Sequence, residues 1–316
     1  MPLLDILTRP AQKENVSSLG NNYTFAESVY SMSLKRSKLL VGTLVPKSNE
    51  NYIYCQGRKY FHRLPPTKVA WCPKQEEENV FASTSTSLRI WKSCEEKPLM
   101  KLQTSSKNTG SSLPAPITSF DWNPVISAKI ATSAVDTTIS IWDIEKGKMD
   151  TQLIAHDKPV FDVAYGNANQ FASVSEDGSL RLFDVRDLDH STILYEDSAP
   201  FLRLVWNINS APNYIATISA DSVQVSLFDL RKSGFLVTSL TCGSASPNAL
   251  AWGPNQSLAA GLGNGSCIVF DASSGSQRVV QPPTSYSGGG VVNVCWAGEG
   301  TLGLAHNNQV SIKSLS

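Results

Sequence analysis

A unit of about 40–45 residues returns along this chain. Its clearest copy is Val160–Asp184, VFDVAYGNANQFASVSEDGSLRLFD. Each copy has an apolar run closing on an aromatic, a short loop, a strand rich in Ala and Ser, a turn, and a run ending in aromatic-Asp. The aromatic that closes the first run stands at Trp71, Trp122, Tyr165, Trp206, Trp252 and Trp296, at gaps of 51, 43, 41, 46 and 44 residues. Four short strands at that period make one blade of a radial array. No single blade can bury both faces of its sheet, so the array must close. The expected fold is all-β, a seven-bladed β-propeller, and a closed ring presents surfaces rather than reactive groups.

Length and composition agree with a ring. The 316 residues could hold two domains, but seven blades of roughly 42 residues use about 294 of them. The reading is therefore one propeller, residues 21–316, behind a mobile N-terminal tail, residues 1–20. Charged residues make up 17%, below the usual quarter, as expected where most strands are covered on both faces. Lys plus Arg and Asp plus Glu both number 27, so nothing steers the molecule to nucleic acid or to an anionic membrane. No run approaches the length of a membrane-spanning helix. The opening MPLLDILTRP has an acid inside its apolar stretch and does not read as a signal peptide. The six cysteines, at 55, 72, 94, 242, 267 and 295, form no CxxC and no Cys/His set. They read as small hydrophobes in a reducing compartment.

The inner strands of blades 1 to 7 are expected at Val29–Leu34, Lys68–Trp71, Ile117–Trp122, Val160–Tyr165, Leu202–Trp206, Asn248–Trp252 and Val291–Trp296. Asp177–Gly178 and Asn264–Gly265 are two-residue hairpin signals, because both residues tolerate positive φ. Asp136, Asp221 and Asn307–Asn308 occupy the same turn in other blades. The chain stops after the third strand of blade 7, and an open edge there would template aggregation. Thr24–Ser28 is expected to supply the missing strand and close the ring. Ser105–Pro116 and Tyr286–Gly290 break the rhythm as loops.

Polar residues inside the blades read as structural. His156, Ser173 and Asp177 of blade 4 form most of a hydrogen-bonded tetrad, but Phe183 stands where an indole N–H would donate. Blade 3 has Asp136 and Trp142 without a histidine. No nucleophile lies at a recognised spacing from His156. The remaining histidines, 62, 190 and 306, are scattered, so neither a metal site nor a cofactor is expected. The innermost strands carry Asp121, Asp162 and Arg203, a thin kit for a propeller enzyme, and no catalytic residue is assigned. One pattern points to function. Asp184-Val-Arg186 and Asp229-Leu-Arg231 place an Arg two residues past the third-strand aromatic of consecutive blades. Two guanidinium forks on one rim suit carbonyls or carboxylates of a partner protein. The competing reading is an internal pair, for instance Arg186 with Asp187 or Asp189.

Several segments carry a family resemblance: TSFDWN (Thr118–Asn123), ATSAVDTTISIWDIEKG (Ala131–Gly147), QLIAHDKPVFDVAY (Gln152–Tyr165), FASVSEDGSLRLFDVRDLDHSTILYED (Phe171–Asp197) and LRLVWN (Leu202–Asn207). They resemble the WD40-repeat family of the plant transparent-testa-glabra and anthocyanin-regulator proteins and the animal cullin-4-ligase-associated factor. VYSMSL (Val29–Leu34) matches the start of that family's propeller, and blades 1, 6 and 7 depart from it most. The resemblance implies a non-enzymatic scaffold of nucleus and cytoplasm that binds helix-loop-helix and Myb-type transcription factors and protein kinases, and the propeller itself is expected to be monomeric. It also implies an alternative, a substrate receptor of a cullin-4 ubiquitin ligase. Receptors of that kind meet the ligase adaptor through an aromatic-Asp-x-Arg motif, which maps onto Arg186 and Arg231.

Overall fold

Small and β-branched residues alternating with polar ones give strands throughout, and the strands hydrogen-bond into seven separate antiparallel sheets. The structure is a computed structural model describing residues 16–19, 21–46, 48–74, 76–77, 79–104, 113–208, 214–231, 236–272, 274–281, 289–298 and 300–315. Most of the Ser105–Pro116 and Tyr286–Gly290 loops falls outside the described residues. Strands are numbered β1 to β29 in chain order. The innermost strands are β3 (Ser28–Lys35), β7 (Lys68–Trp71), β11 (Ile117–Trp122), β15 (Val160–Tyr165), β19 (Phe201–Trp206), β23 (Pro247–Trp252) and β27 (Val291–Trp296). Each touches the next, and β27 touches β3, so the ring is closed and seven-bladed.

The core lies between blades, as the argument from uncovered sheet faces requires. Ile139 and Ile141 of blade 3 pack on Val163, Tyr165 and Phe171 of blade 4. Val174, Leu180 and Leu194 of blade 4 pack on Phe201, Leu204 and Phe228 of blade 5. The same arrangement recurs at the other seams. Backbone proximity is part of it. A Cβ on Gly166, just past β15, would stand 2.3 Å from the Trp206 ring, and one on Gly253 would stand 2.4 Å from Trp296. The aromatic ending each of these inner strands thus lies over a bare glycine of the preceding blade.

Closure uses the N-terminal segment, but in a different register from the expected one. The strand is β2 (Asn22–Phe25), not Thr24–Ser28, and Ser28 already belongs to β3. β2 pairs antiparallel with β29 (Gln309–Ser314), with Thr24 opposite Gln309. It thereby covers the edge left by β28 (Thr301–His306) and β29. A fifth strand, β1 (Val16–Leu19), pairs outside β2 and lies within the stretch expected as a mobile tail. Residues 1–15 of that tail are outside the described residues. Tyr23 and Phe25 point into the seam between blades 7 and 1, meeting Val29, Val41 and Tyr54 on one side and Val310 and Ile312 on the other. Phe25 stacks at a tilt on Tyr54 at 5.3 Å, and the Tyr54 hydroxyl donates to Glu27 at 2.8 Å. Two residues set the crossing. The Phe25 amide donates to Asn308 O at 2.8 Å, and Asn308 Nδ2 donates back to Phe25 O at 3.1 Å.

Asx turns recur between the second and third strands. Asp136, Asp177 and Asn264 each accept the side-chain hydroxyl of the residue two further on, Thr138, Ser179 and Ser266, at 2.7 Å. Gly178, Gly265, Asp221 and Asn307 take positive φ in these turns, whereas in blade 3 it is Thr137, not Asp136.

Two buried tetrad remnants brace the regular blades. In blade 4, His156 Nδ1 meets Asp177 Oδ2 at 3.0 Å and its Nε2 meets Ser173 Oγ at 2.7 Å. Phe183 adds no hydrogen bond and stacks on Phe171 at 5.0 Å. In blade 2 the sequence reading missed a second set. The Trp91 indole donates to Ser83 Oγ at 2.9 Å, His62 Nε2 meets the same oxygen at 3.2 Å, and Trp91 stacks on Phe81. Blade 3 keeps one bond, Trp142 Nε1 to Thr132 Oγ1 at 2.9 Å.

The axial channel carries its own polar belt. In six inner strands the register shifts near the start, before the third residue in five of them and before the fourth, Ser31, in β3, a bulge that turns that residue. Ser119 donates to Asp162 Oδ1 at 2.6 Å, and Lys68 donates to Ser119 at 3.2 Å and lies 3.7 Å from Asp162. Asp162 Oδ2 accepts the Leu204 amide at 3.1 Å. Blades 2, 3, 4 and 5 are tied through one carboxylate. Two residues beyond Ser119 on β11, Asp121 Oδ2 accepts the Tyr165 amide at 2.9 Å. Burial pushes the Asp121 carboxyl up to about 6, against the pull of Lys68.

Two outcomes follow. Phe25→Ala should cost about 3–5 kcal/mol in guanidinium unfolding, the scale for emptying a buried aromatic site; an unchanged midpoint would show that the β2 seam contributes nothing to closure. The second concerns pH. Burial lowers His62, His156 and His306 to about 4. A base whose folded pKa lies below its unfolded value stabilises fully above about 6.5, and that contribution fades as pH falls toward 4. Asp121, raised to about 6, acts in the opposite sense over the same range. Near pH 5 the unfolded chain therefore holds about two more protons than the ring, three from the histidines less one from Asp121. Unfolding free energies measured from pH 7 down to 5 should fall, steepening toward that slope below about pH 6, and a flat profile contradicts it.

Candidate functional site

Each blade is antiparallel, so the connections after its first and third strands share one rim of the ring. Arg186 follows β17 (Ser179–Asp184) and Arg231 follows β21 (Gln224–Asp229), which puts both on that rim in adjacent blades. The aromatic-Asp ending of each strand fixes what happens next. Asp184 Oδ1 accepts the Arg186 backbone amide at 3.0 Å, and this turn brings the guanidinium back onto the carboxylate. Nε donates to Oδ1 at 2.8 Å and an Nη2 donates to Oδ2 at 2.5 Å, a two-toothed fork. Blade 5 repeats it. The Arg231 amide meets Asp229 Oδ1 at 3.0 Å, its Nε the same oxygen at 2.9 Å, and its Nη2 Oδ2 at 2.6 Å.

The internal pair that sequence reasoning set against partner binding is thus real, but its acid is the motif's own Asp184 or Asp229, not Asp187 or Asp189. Geometry explains the choice. The carboxylate already holding the arginine's own amide is the one within reach of its side chain. The pair does not consume the arginine. The Arg186 and Arg231 side chains remain 68% and 65% exposed while Asp229 is 4% exposed. The hydrogen-bonded guanidinium and amide hold Asp184 down at about 2. Each acid acts as an anchor that orients the fork and leaves its outer edge to solvent. An exposed arginine normally loses rotamer freedom on binding, and here much of that loss has been taken at folding.

Blade 3 shows what happens without the arginine. Its equivalent acid, Asp143, is followed two residues later by Glu145, and it takes Lys129 at 2.8 Å and Lys146 at 3.1 Å instead. Those lysines hold the Asp143 carboxyl well below the usual carboxylate range. Apolar side chains missed in the sequence reading stand on the same rim. Val125 and Ile126, on the connection after β11, are 70% and 42% exposed, and Ile208, after β19, is 44% exposed. Asn123 Oδ1 accepts the amides of Val125 and Ile126, so that connection is held in place. The single Asn123, two and three residues before Val125 and Ile126, was the available signal.

The polar residues that the sequence places inside blades 3 and 4 are hydrogen-bonded there. His156, Ser173 and Asp177 come together in the blade 4 tetrad, Trp142 reaches Thr132, and Asp136 serves its own turn. Of the channel residues, Asp162 is occupied by Ser119, Lys68 and the Leu204 amide, and Arg203 Nη1 donates to its neighbour's carbonyl, Leu202 O, at 3.1 Å. Among the described residues no group of three or more His, Cys, Asp or Glu could hold a metal ion.

Residues 147–184 match the model of the family described as WD domain, G-beta repeat. That span runs from the last strand of blade 3 to the end of β17, the most regular part of the ring. Among curated proteins, the chain is 40% identical over 233 residues to a DDB1- and CUL4-associated factor 7 homolog of Dictyostelium discoideum, covering 72% of this chain and 71% of that protein. It is 36% identical to an uncharacterized WD repeat-containing protein of Schizosaccharomyces pombe and 35% identical to a WD repeat-containing protein of Saccharomyces cerevisiae. The matches cover 65% and 61% of this chain and 53% and 44%, about half, of those two proteins. With a closed seven-bladed ring, blade-long similarity and this level of identity, the chain belongs to the WD-repeat family of DDB1- and CUL4-associated factor 7, the family of the transparent-testa-glabra and anthocyanin-regulator proteins.

Proposed function

We propose that this propeller is a non-enzymatic scaffold that assembles other proteins on its rim. The observation that supports it most directly is the pair of acid-clamped arginines in adjacent blades, pre-oriented and exposed on the rim that also carries Val125, Ile126 and Ile208. Arginine and apolar anchors held in fixed geometry are the composition of binding hot spots, where a few residues dominate affinity. A rigid ring that holds two partners at once raises their effective concentration toward each other. The family resemblance supplies the partner classes, helix-loop-helix or Myb-type transcription factors and protein kinases, and a place of work in nucleus and cytoplasm. The channel carboxylate Asp162 fits this reading, since it is committed to holding blades together.

A second reading has a specific observation in its favour. The Dictyostelium relative's name associates it with DDB1 and CUL4, and the aromatic-Asp-x-Arg arrangement of blades 4 and 5 is the one that a ligase adaptor would grip. In this version the chain is a substrate receptor of a cullin-4 ubiquitin ligase, with Arg186 and Arg231 as adaptor contacts.

One experiment separates the two. Wild-type chain and an Arg186→Ala/Arg231→Ala variant are used to capture purified DDB1 adaptor and, separately, candidate kinases or transcription factors. On the receptor reading the variant loses the adaptor, with at least a tenfold rise in Kd, about 1.4 kcal/mol. Adaptor capture that is absent for both forms, or equal for both, rejects the receptor reading. If neither form captures any protein from cells of the native host, the scaffold itself is rejected.

A further inference from the structure

The end of the axial channel holds a cavity of about 240 Å³ that neither reading above employs. Its walls include Tyr165, Trp206 and Trp252, the aromatics that end the inner strands of blades 4, 5 and 6, with Ile208 beside them. Its charged members are Asp121 and Lys68. Because these aromatics stand at the ends of inner strands, the cavity lies at the same end of the ring as Arg186 and Arg231. A volume of this size is below the roughly 300–1,000 Å³ of sites for drug-sized ligands. It suits one long side chain or a molecule of similar bulk.

The charge inside is unbalanced. Lys68 is engaged by Ser119 at 3.2 Å and by Asp162 at 3.7 Å, so its ammonium is shared with another carboxylate. Arg203, on the next inner strand, bonds Leu202 O and does not line the cavity. Two carboxylates therefore face one ammonium, and among the described residues Asp121 is the one without a close cationic partner. Its raised pKa reports the same thing, a desolvated acid whose neighbours do not offset the cost of its charge. Indole faces attract cations when water is excluded. The two tryptophans also differ in how they are held. The Trp252 indole donates to Val205 O at 3.2 Å, as Trp296 does to Ala251 O at 3.1 Å. Trp206, 7% exposed, has no acceptor for Nε1 among the described residues. Its ring packs over Gly166 of blade 4, so it is held by packing and not through its indole N–H.

We propose that this cavity receives one alkyl-borne cation, the ammonium of a lysine or the guanidinium of an arginine, with Asp121 as its counter-ion and Trp206 and Trp252 flanking its stem. The site is independent of the rim arginines. A partner seated on that rim could place one basic side chain on the ring axis, and a free amine of the same chemistry would fit the same space.

The test uses the full chain labelled at its indole nitrogens and followed by NMR. Probes are N-acetyl-arginine methylamide, N-acetyl-lysine methylamide, agmatine, cadaverine and, as the uncharged isostere, N-acetyl-citrulline methylamide. Cationic probes should shift the Trp206 and Trp252 indole resonances saturably in the millimolar range, and citrulline roughly tenfold more weakly. The Trp142 indole, locked on Thr132, stays in place and certifies the fold. Asp121→Asn should remove the cation preference, while Arg186→Ala/Arg231→Ala should leave it intact. In wild type the affinity should also fall as salt is raised, a readout that needs no variant. Tighter binding of the blocked amino acids assigns the cavity to a partner polypeptide, and tighter binding of agmatine or cadaverine assigns it to a free amine. No shift with any probe, or equal shifts with citrulline, overturns the proposal.

Discussion

The structure depends on one seam. Every blade offers two apolar sheet faces, and only a complete ring covers them all, so the contact between blade 7 and blade 1 decides whether the other six seams persist. That contact is made by a strand from the opposite end of the chain. β2 completes the edge of β29, and Tyr23 and Phe25 then fill the space between blades 7 and 1. The backbone exchange between Phe25 and Asn308 fixes the point at which the chain crosses from one blade into the next. The sheet edge that would otherwise lie open is covered twice, by β2 and again by β1.

Once the ring is rigid, its polar groups divide into two kinds of work. One set, within the blades and around Asp162, is used internally. His156 with Ser173, His62 with Ser83 and Trp91, and Asp162 with three neighbouring strands are bonds that set blade geometry. Those on the rim are clamped but not consumed. The Asp184–Arg186 and Asp229–Arg231 forks place charge outward on a fixed frame. Divergence among blades has a physical correlate. Where blade 3 lacks the arginine, lysines take over the acid, so the turn survives and the exposed fork does not.

Much of this was legible before any coordinates. The inner strands at Lys68–Trp71, Ile117–Trp122, Val160–Tyr165 and Val291–Trp296 lie where apolar alternation ending in an aromatic places them. The closing strand was foreseen but displaced, because NYTFAESVY carries two overlapping alternations and only pairing with Gln309 and Val310 chooses between them. The blade 2 tetrad was not seen, since His62 lies at the end of blade 1's outer strand and Ser83 precedes Trp91 by a shorter turn than Thr132 precedes Trp142. The arginine motif was visible, but which acid holds each arginine was not. That depends on a backbone amide turning onto the carboxylate, a local geometry that residue types alone leave open. The cavity beside Asp121 could not be read either, because it is assembled from five separate inner strands.

The closing strand also has a consequence for synthesis. Phe25 leaves the ribosome long before Gln309 exists, and at about 5–20 residues per second the interval is roughly 15–60 s. Throughout that time β2 has no β29 to pair with, and two aromatic side chains destined for the last seam lack their blade 7 partners. Blades 1 to 6 can stack on one another as they emerge, but the growing array is an open arc with an adhesive edge at its first blade. The cell must keep that edge from meeting another nascent arc, whose exposed end is chemically the same, until the final strand arrives.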